Sequence, residues 1–242
     1  MDNGKHFVVA VGASGADGLQ DMCNFLSELP KKLSATILCT LHRPPDKQSS
    51  LAEVLQRAST LEIIIPSHGE SLRPGCCYIG LPDRHLTLTT LRRACLVPHR
   101  KEHRGKTVDL LFDSIAAHAA DSGLGVVLAG SLSDGSRGLR AIKLAGGAVF
   151  ARPTRNSAVM DMPAHAIAEG APLHLIGAVP DLAREIVRRC GVAQRRSVQQ
   201  PASTCPHELI KSANPAPRAD DAELKPTLTL PILPERTKSL QA

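Results

Sequence analysis

The sequence predicts an α/β fold, a doubly wound, mostly parallel sheet with helices on both faces and an antiparallel hairpin insertion. Short apolar runs bounded by turn residues alternate with segments of helical period. Those runs are apolar throughout rather than alternately polar, as strands covered on both faces are. In the middle of the chain the alternation breaks into closely spaced short runs without helices between them, which reads as hairpins.

Residues 7–11 form the first strand, and Leu19, Met22, Cys23, Leu26 and Leu29 mark one face of the helix after it. Residues 36–41 form the second strand, followed by a helix carrying Leu51, Val54, Leu55 and Ala58. A third strand covers 62–65, and the runs 76–80, 85–89 and 94–97, split by Pro82-Asp83 and neighbouring polar residues, read as antiparallel hairpins. Val108, Leu111, Phe112 and Ile115 lie on a helix, 125–129 is a buried strand, 139–144 a helix ending at Gly146-Gly147, and 148–151 a strand. Strand 173–176 and helix 182–187 complete the pattern.

The 242 residues are 43% hydrophobic and 21% charged, enough to bury a core. Residues 1–193 are expected to form one domain, and the Pro-rich residues 194–242, which lack aromatic residues and periodicity, a disordered tail. No apolar run approaches the ~20 residues of a membrane-spanning helix. The seven cysteines are an odd number and sit mostly inside apolar runs, which favours a reducing compartment without disulfides. Met1 is read as the mature start of a cytoplasmic protein. A net charge of +6 with 2% aromatic residues argues against nucleic-acid binding and for acidic protein surfaces as partners.

The first strand runs straight into Gly12-Ala13-Ser14-Gly15-Ala16-Asp17-Gly18 and a helix. One reading is a dinucleotide-binding turn, with the glycines and the helix start holding a pyrophosphate. It wants an acidic residue after the second strand, but His42-Arg43 stands there, leaving Arg43 for a 2′-phosphate. A short-chain reductase also needs a Tyr with Lys four positions on, whereas Tyr78 is followed at that spacing by Pro82.

In the other reading, Ser14 is a nucleophile on a sharp strand-to-helix turn, with the Gly15 N–H as an oxyanion donor. Taken by itself, that segment favours an ordinary helix cap for Ser14. His42, however, ends the second strand beside the first. Asp134 follows strand 125–129 in Gly130-Ser131-Leu132-Ser133-Asp134-Gly135. Nucleophile, base and orienting carboxylate would then emerge at one edge of one sheet.

At these positions the sequence resembles the catalytic domain of the chemotaxis protein-glutamate methylesterases (CheB type). The resemblance rests on Val11-Gly12-Ala13-Ser14-Gly15, Leu41-His42-Arg43-Pro44-Pro45, the segment 75–85, Val108-Asp109-Leu110-Leu111-Phe112, Gly130-Ser131-Leu132-Ser133-Asp134-Gly135, Lys143-Leu144-Ala145-Gly146-Gly147 and Met162-Pro163. It implies that Ser14 is the nucleophile, His42 the base and Asp134 its orienter, with backbone N–H groups near Gly15 and Ser131 as oxyanion donors. The implied reaction is hydrolysis of glutamate γ-methyl esters on a methyl-accepting chemoreceptor, with deamidation of receptor glutamines beside it and no metal or organic cofactor. Arg43 stands where the family commonly has Met, and Ser131 likewise. Arg43 is expected to lower the pKa of His42 and to contact acidic receptor residues. With about six residues before the first strand, the chain resembles a form without the receiver domain, either constitutively active or regulated by a separate protein through the tail. The alternative is a catalytically weak adaptor that binds receptor or kinase complexes.

Two weaker signals remain. Cys95, His99 and His103 recur every four residues, a spacing that suits metal ligands on a helix, although Pro98 and the surrounding basic residues favour a loop. Arg92, Arg93, Arg100, Lys101, Arg104 and Lys106 form the most basic stretch, read either as a solvated rim or as a docking surface for acidic receptor helices.

Overall fold

A computed structural model describes residues 6–46, 49–130, 133–153, 161–168 and 173–191. The expected tail, 194–242, lies outside the described residues, as does Ser131.

Seven strands form one parallel sheet: β1 (Phe7–Ser14), β2 (Ala35–His42), β3 (Glu62–Ile64), β4 (Cys76–Ile79), β7 (Gly123–Val127), β8 (Ala148–Ala151) and β9 (Leu175–Ile176). Their order is β3-β4-β2-β1-β7-β8-β9. β5 (Arg84–Leu88) and β6 (Ala94–Pro98) make a separate antiparallel pair. The helices are α1 (Gly15–Ser27), α2 (Leu51–Ala58), α3 (Thr107–Ala119), α4 (Ser136–Leu144), α5 (Met162–Ala168) and α6 (Val179–Cys190).

β1 lies in the middle. From it the chain first builds β2, β4 and β3 to one side and then returns to build β7, β8 and β9 on the other. This reversal opens a crevice at the carboxyl ends of β1 and its neighbours, where open α/β sheets carry their sites.

The helices cover both faces because every central strand is apolar in both directions. Val9, Val11 and Ala13 of β1 point into a core with Met22, Phe25 and Leu26 of α1, Leu55 of α2 and Leu182 and Ile186 of α6. Val8 and Ala10 point the other way, toward Val108, Leu111, Phe112 and Ile115 of α3, Leu139 and Ile142 of α4, and Leu86 and Leu96 of the hairpin. The strand period of two thus feeds two separate cores from one segment.

The hairpin reading of 76–80 is corrected. Cys76–Ile79 is not a hairpin strand but β4, paired in parallel with both β2 and β3. Its four residues are all buried, so they bury most apolar surface inside the sheet, and only β5 and β6 remain antiparallel. Leu86 and Leu88 of that pair then fold over the α3 side of the sheet. Among the described residues no helix is long and apolar enough to cross a membrane, and the six described cysteines are all free.

Candidate active site

Ser14 is the last residue of β1, and its extended backbone (φ −147°, ψ 145°) turns directly into α1. Its side chain makes no capping hydrogen bond to that helix, so the hydroxyl is not occupied by the role that would otherwise explain a serine here. The turn is possible because Gly15 takes φ +71°, a left-handed conformation costly for other residues.

Space around the serine is made by a second glycine. Gly130 follows β7, and a Cβ there would lie 2.8 Å from the Ser14 Cβ and collide with Met162 Sδ. The Met162 N–H donates to the Gly130 carbonyl at 2.8 Å, and the Ser14 N–H donates to the Ala129 carbonyl at 3.0 Å. Ser14, the end of β7 and the start of α5 are therefore held against each other by backbone bonds.

His42 ends β2 and is the direct register partner of Ser14. Adjacent strands lie about 4.8 Å apart, and paired residues of a parallel ladder project to the same face. The structure thus brings Ser14 and His42 together. Burial first, and then the charge of nearby His99, lower the pKa of His42. An imidazole that is neutral at physiological pH is what a general base requires. The His42 Nδ1 is buried and has no hydrogen-bond partner among the described residues.

Asp134 is placed differently from the carboxylate of a finished triad. Its Oδ2 accepts the Val108 N–H and its Oδ1 the Asp109 N–H, both at 2.9 Å. It therefore caps the first turn of α3. Asp109 answers by accepting the Gly135 and Gly138 N–H groups at 3.0 and 2.8 Å, so the two carboxylates lace α3 and α4 together. Asp134 is only 4% exposed, and burial pushes its pKa up to about 6 against the opposing pull of the backbone donors.

Arg43 lies beside the base but turns into the protein. Its Nη2 donates to the Gly80 carbonyl at 2.6 Å and its Nη1 to Ser49 Oγ at 2.5 Å, with a longer contact from Nε to the Leu41 carbonyl. The expected influence on His42 comes instead from burial and His99. The guanidinium ties the end of β2 to the loop after β4.

His42 and Arg43 open onto a cleft of about 740 Å³ whose lining also includes His85 and His99, with Arg84, Arg100, Lys101 and Arg104 along it. The basic stretch divides here. Arg100, Lys101 and Arg104 reach the cleft, whereas Arg92 donates to the His6 carbonyl and Ser122 Oγ, and Arg93 to the Gly69 carbonyl. Arg92 and Arg93 are engaged in holding loops. The cysteine-histidine grouping is also rearranged: His99 and His103 gather around His85, with ring centroids 5.1 and 5.4 Å away. Cys95 pairs across the hairpin with Thr87, two positions along β5 from His85.

Sequence reasoning missed the pair formed by Asp21 of α1 and Arg152 after β8, joined at 2.9 Å with side chains only 2% and 11% exposed. Asp21 Oδ2 also accepts the Ala129 N–H at 3.3 Å, and Ala129 in turn holds the Ser14 N–H. The available signal was positional, since Arg152 directly follows a strand at the site-bearing edge. His85 was missed because nothing local distinguishes it within its strand.

A family profile described as CheB methylesterase matches residues 9–186. Two curated relatives, from Photorhabdus laumondii and Enterobacter cloacae, are both named protein-glutamate methylesterase/protein-glutamine glutaminase. They are 37% and 30% identical to this chain over 68% and 77% of its length. The chain spans about half the length of these relatives, 47% and 54%. Among solved structures, the Thermotoga maritima CheB methylesterase catalytic domain matches with a TM-score of 0.68 at 27% identity, covering 76% of this chain and 98% of that one. The profile match covers most of the described elements, and the chain belongs to the CheB methylesterase family.

Proposed function

We propose that the protein is a serine hydrolase that removes γ-methyl esters from glutamate side chains of methyl-accepting chemoreceptors, with hydrolysis of receptor glutamine amides as a second activity. The observation that carries this is the register of Ser14 and His42 on adjacent strands, with the serine side chain free of a capping bond.

In this scheme His42 takes the Ser14 proton as Oγ attacks the ester carbonyl. Backbone N–H groups at the start of α1, nearest Gly15, and near Ser131 receive the oxyanion. His42 then returns the proton to the departing methoxide, releasing methanol. Water, deprotonated by His42, cleaves the acyl-enzyme to a receptor carboxylate and free serine. Asp134 is assigned the third role because a carboxylate has about four acceptor positions and the backbone N–H groups of Val108, Asp109 and Thr107 take up three of them. That leaves capacity for the His42 Nδ1–H, which has no partner among the described residues. Neither a metal nor an organic cofactor enters this chemistry. Arg100, Lys101 and Arg104 along the cleft suit a substrate helix rich in carboxylates.

The test is methanol release from a methylated receptor fragment, comparing the wild type with Ser14→Ala. The expected loss is ~10³-fold or more. The unpartnered His42 Nδ1 favours a second reading, an adaptor of weak activity that binds receptor or kinase complexes. Receptor binding without turnover in either protein would select it.

A further inference from the structure

The buried pair of Asp21 and Arg152 lies behind the nucleophile turn, and the hydrolytic scheme gives it no task. Three segments meet there. Asp21 is in the second turn of α1, Arg152 follows β8, and the Ala129 N–H that donates to Asp21 Oδ2 belongs to the stretch leaving β7. We propose that Asp21 and Arg152 are positioning residues for the hydrolysis, a clamp that fixes Ala129 and through it the place of Ser14 relative to the oxyanion donors. The proposal rests on the hydrolase reading.

The bonding around Ala129 carries the argument. Its N–H donates to Asp21 at 3.3 Å, and its carbonyl accepts the Ser14 N–H at 3.0 Å. The next carbonyl, that of Gly130, accepts the Met162 N–H. The assigned oxyanion donors belong to the two segments that meet at this junction, near Gly15 at the start of α1 and near Ser131 after β7. Their relation to Ser14 therefore depends on how closely α1 is drawn to the β7 exit. No side chain spaces the two apart, since a Cβ at Gly18 would lie 2.5 Å from the Ala129 carbonyl oxygen. Arg152 steadies the carboxylate from the β8 side, with Nε at 2.9 Å from Asp21 Oδ2 and its own backbone N–H donating to the Val127 carbonyl at 3.0 Å.

Stability alone does not account for a charged pair in this place. Desolvating an Asp and an Arg offsets most of their attraction, and apolar residues of similar volume often stabilise as well or better. What the charge-assisted bond adds is a fixed direction. A displacement of about 1 Å at the reacting atoms costs on the order of 100-fold in rate.

The test compares the wild type with a neutral pair, Asp21→Asn with Arg152→Gln, and an apolar pair, Asp21→Leu with Arg152→Met. Neither buries an unmatched charge, and thermal unfolding checks that each folds. Two rates are read: methanol release from a methylated receptor fragment, and phosphonylation of Ser14 by a fluorophosphonate, in which Oγ displaces fluoride from phosphorus as His42 takes the serine proton. The neutral pair keeps an oxygen for the Ala129 N–H but loses the charge assistance, so both rates should fall by about 3-fold or more. The apolar pair loses the acceptor as well and should fall by about 10-fold or more, with KM for the fragment within about 2-fold of the wild type in both variants. Wild-type rates in the folded neutral pair overturn the proposal whether or not the apolar pair folds, and so does a raised KM with kcat intact. A wild type that the fluorophosphonate does not label removes the hydrolase reading and this inference with it. A labelled wild type matched by both variants overturns the inference and leaves the hydrolase reading standing.

Discussion

Replacing Gly130 by alanine tests the spatial logic of the nucleophile turn. The new Cβ would sit 2.8 Å from the Ser14 Cβ, about 1 Å inside the ordinary carbon–carbon separation of about 3.5–4.0 Å. It would also strike Met162 Sδ, which can swing aside because methionine is flexible. The Ser14 Cβ cannot, since it is fixed by β1 on one side and the Ser14–Ala129 bond on the other. Relief therefore requires the serine to shift by something on the order of 1 Å, a displacement that costs roughly 100-fold in rate. Overpacking at such a site destabilises by about 1–3 kcal/mol. At about 2–4 °C per kcal/mol in a domain of this size, the melting temperature should fall by about 2–12 °C. The assay is methanol release alongside thermal unfolding for Gly130→Ala and for Gly130→Ala with Met162→Ala. The double variant removes the methionine clash but leaves the serine clash and opens a cavity where buried Met162 stood, so activity stays low and stability does not return to that of the wild type. Wild-type turnover in Gly130→Ala, or recovery of activity together with stability in the double variant, would refute the reasoning.

Three further outcomes are expected. His42 has its pKa lowered by burial and by His99 and must be unprotonated to act, so activity falls only as pH drops through a midpoint below 6.5; a pH–kcat/KM profile with its acidic midpoint at 7 or above would contradict this. Asp21→Asn leaves Arg152 unpaired where both side chains are nearly inaccessible, and should cost about 3–5 kcal/mol in urea unfolding, against little change if the pair is dispensable. Raising salt should increase KM for a receptor fragment with kcat unaffected, and replacing Arg100, Lys101 and Arg104 with alanine should flatten that dependence; equal salt dependence in both proteins would show that the basic edge of the cleft does not contact substrate.

Much of the site was legible because strand ends can be read from local composition. Ser14 and His42 each terminate an apolar run, and consecutive runs in an α/β sequence usually pair, so their juxtaposition follows from order along the chain. Asp134 was legible as a residue but not in its contacts. Its backbone partners, Val108 and Asp109, are 26 and 25 positions away, and no periodicity marks such a cap. Arg43 looked like a free charge beside the base because sequence carries no record of the Gly80 carbonyl, 37 positions on, that its guanidinium meets.

The order of apolar runs and turns by itself determined a parallel sheet covered on both faces and a serine on its first turn. These depend on period and local backbone freedom, both properties of neighbouring residues. Only the tertiary structure decided that β4 inserts between β2 and β3, that Gly130 clears the space above Ser14, and that His85, His99 and His103 gather beside His42. Those outcomes depend on which distant segments bury surface against one another, a competition settled by packing across the whole domain rather than by any one stretch of chain.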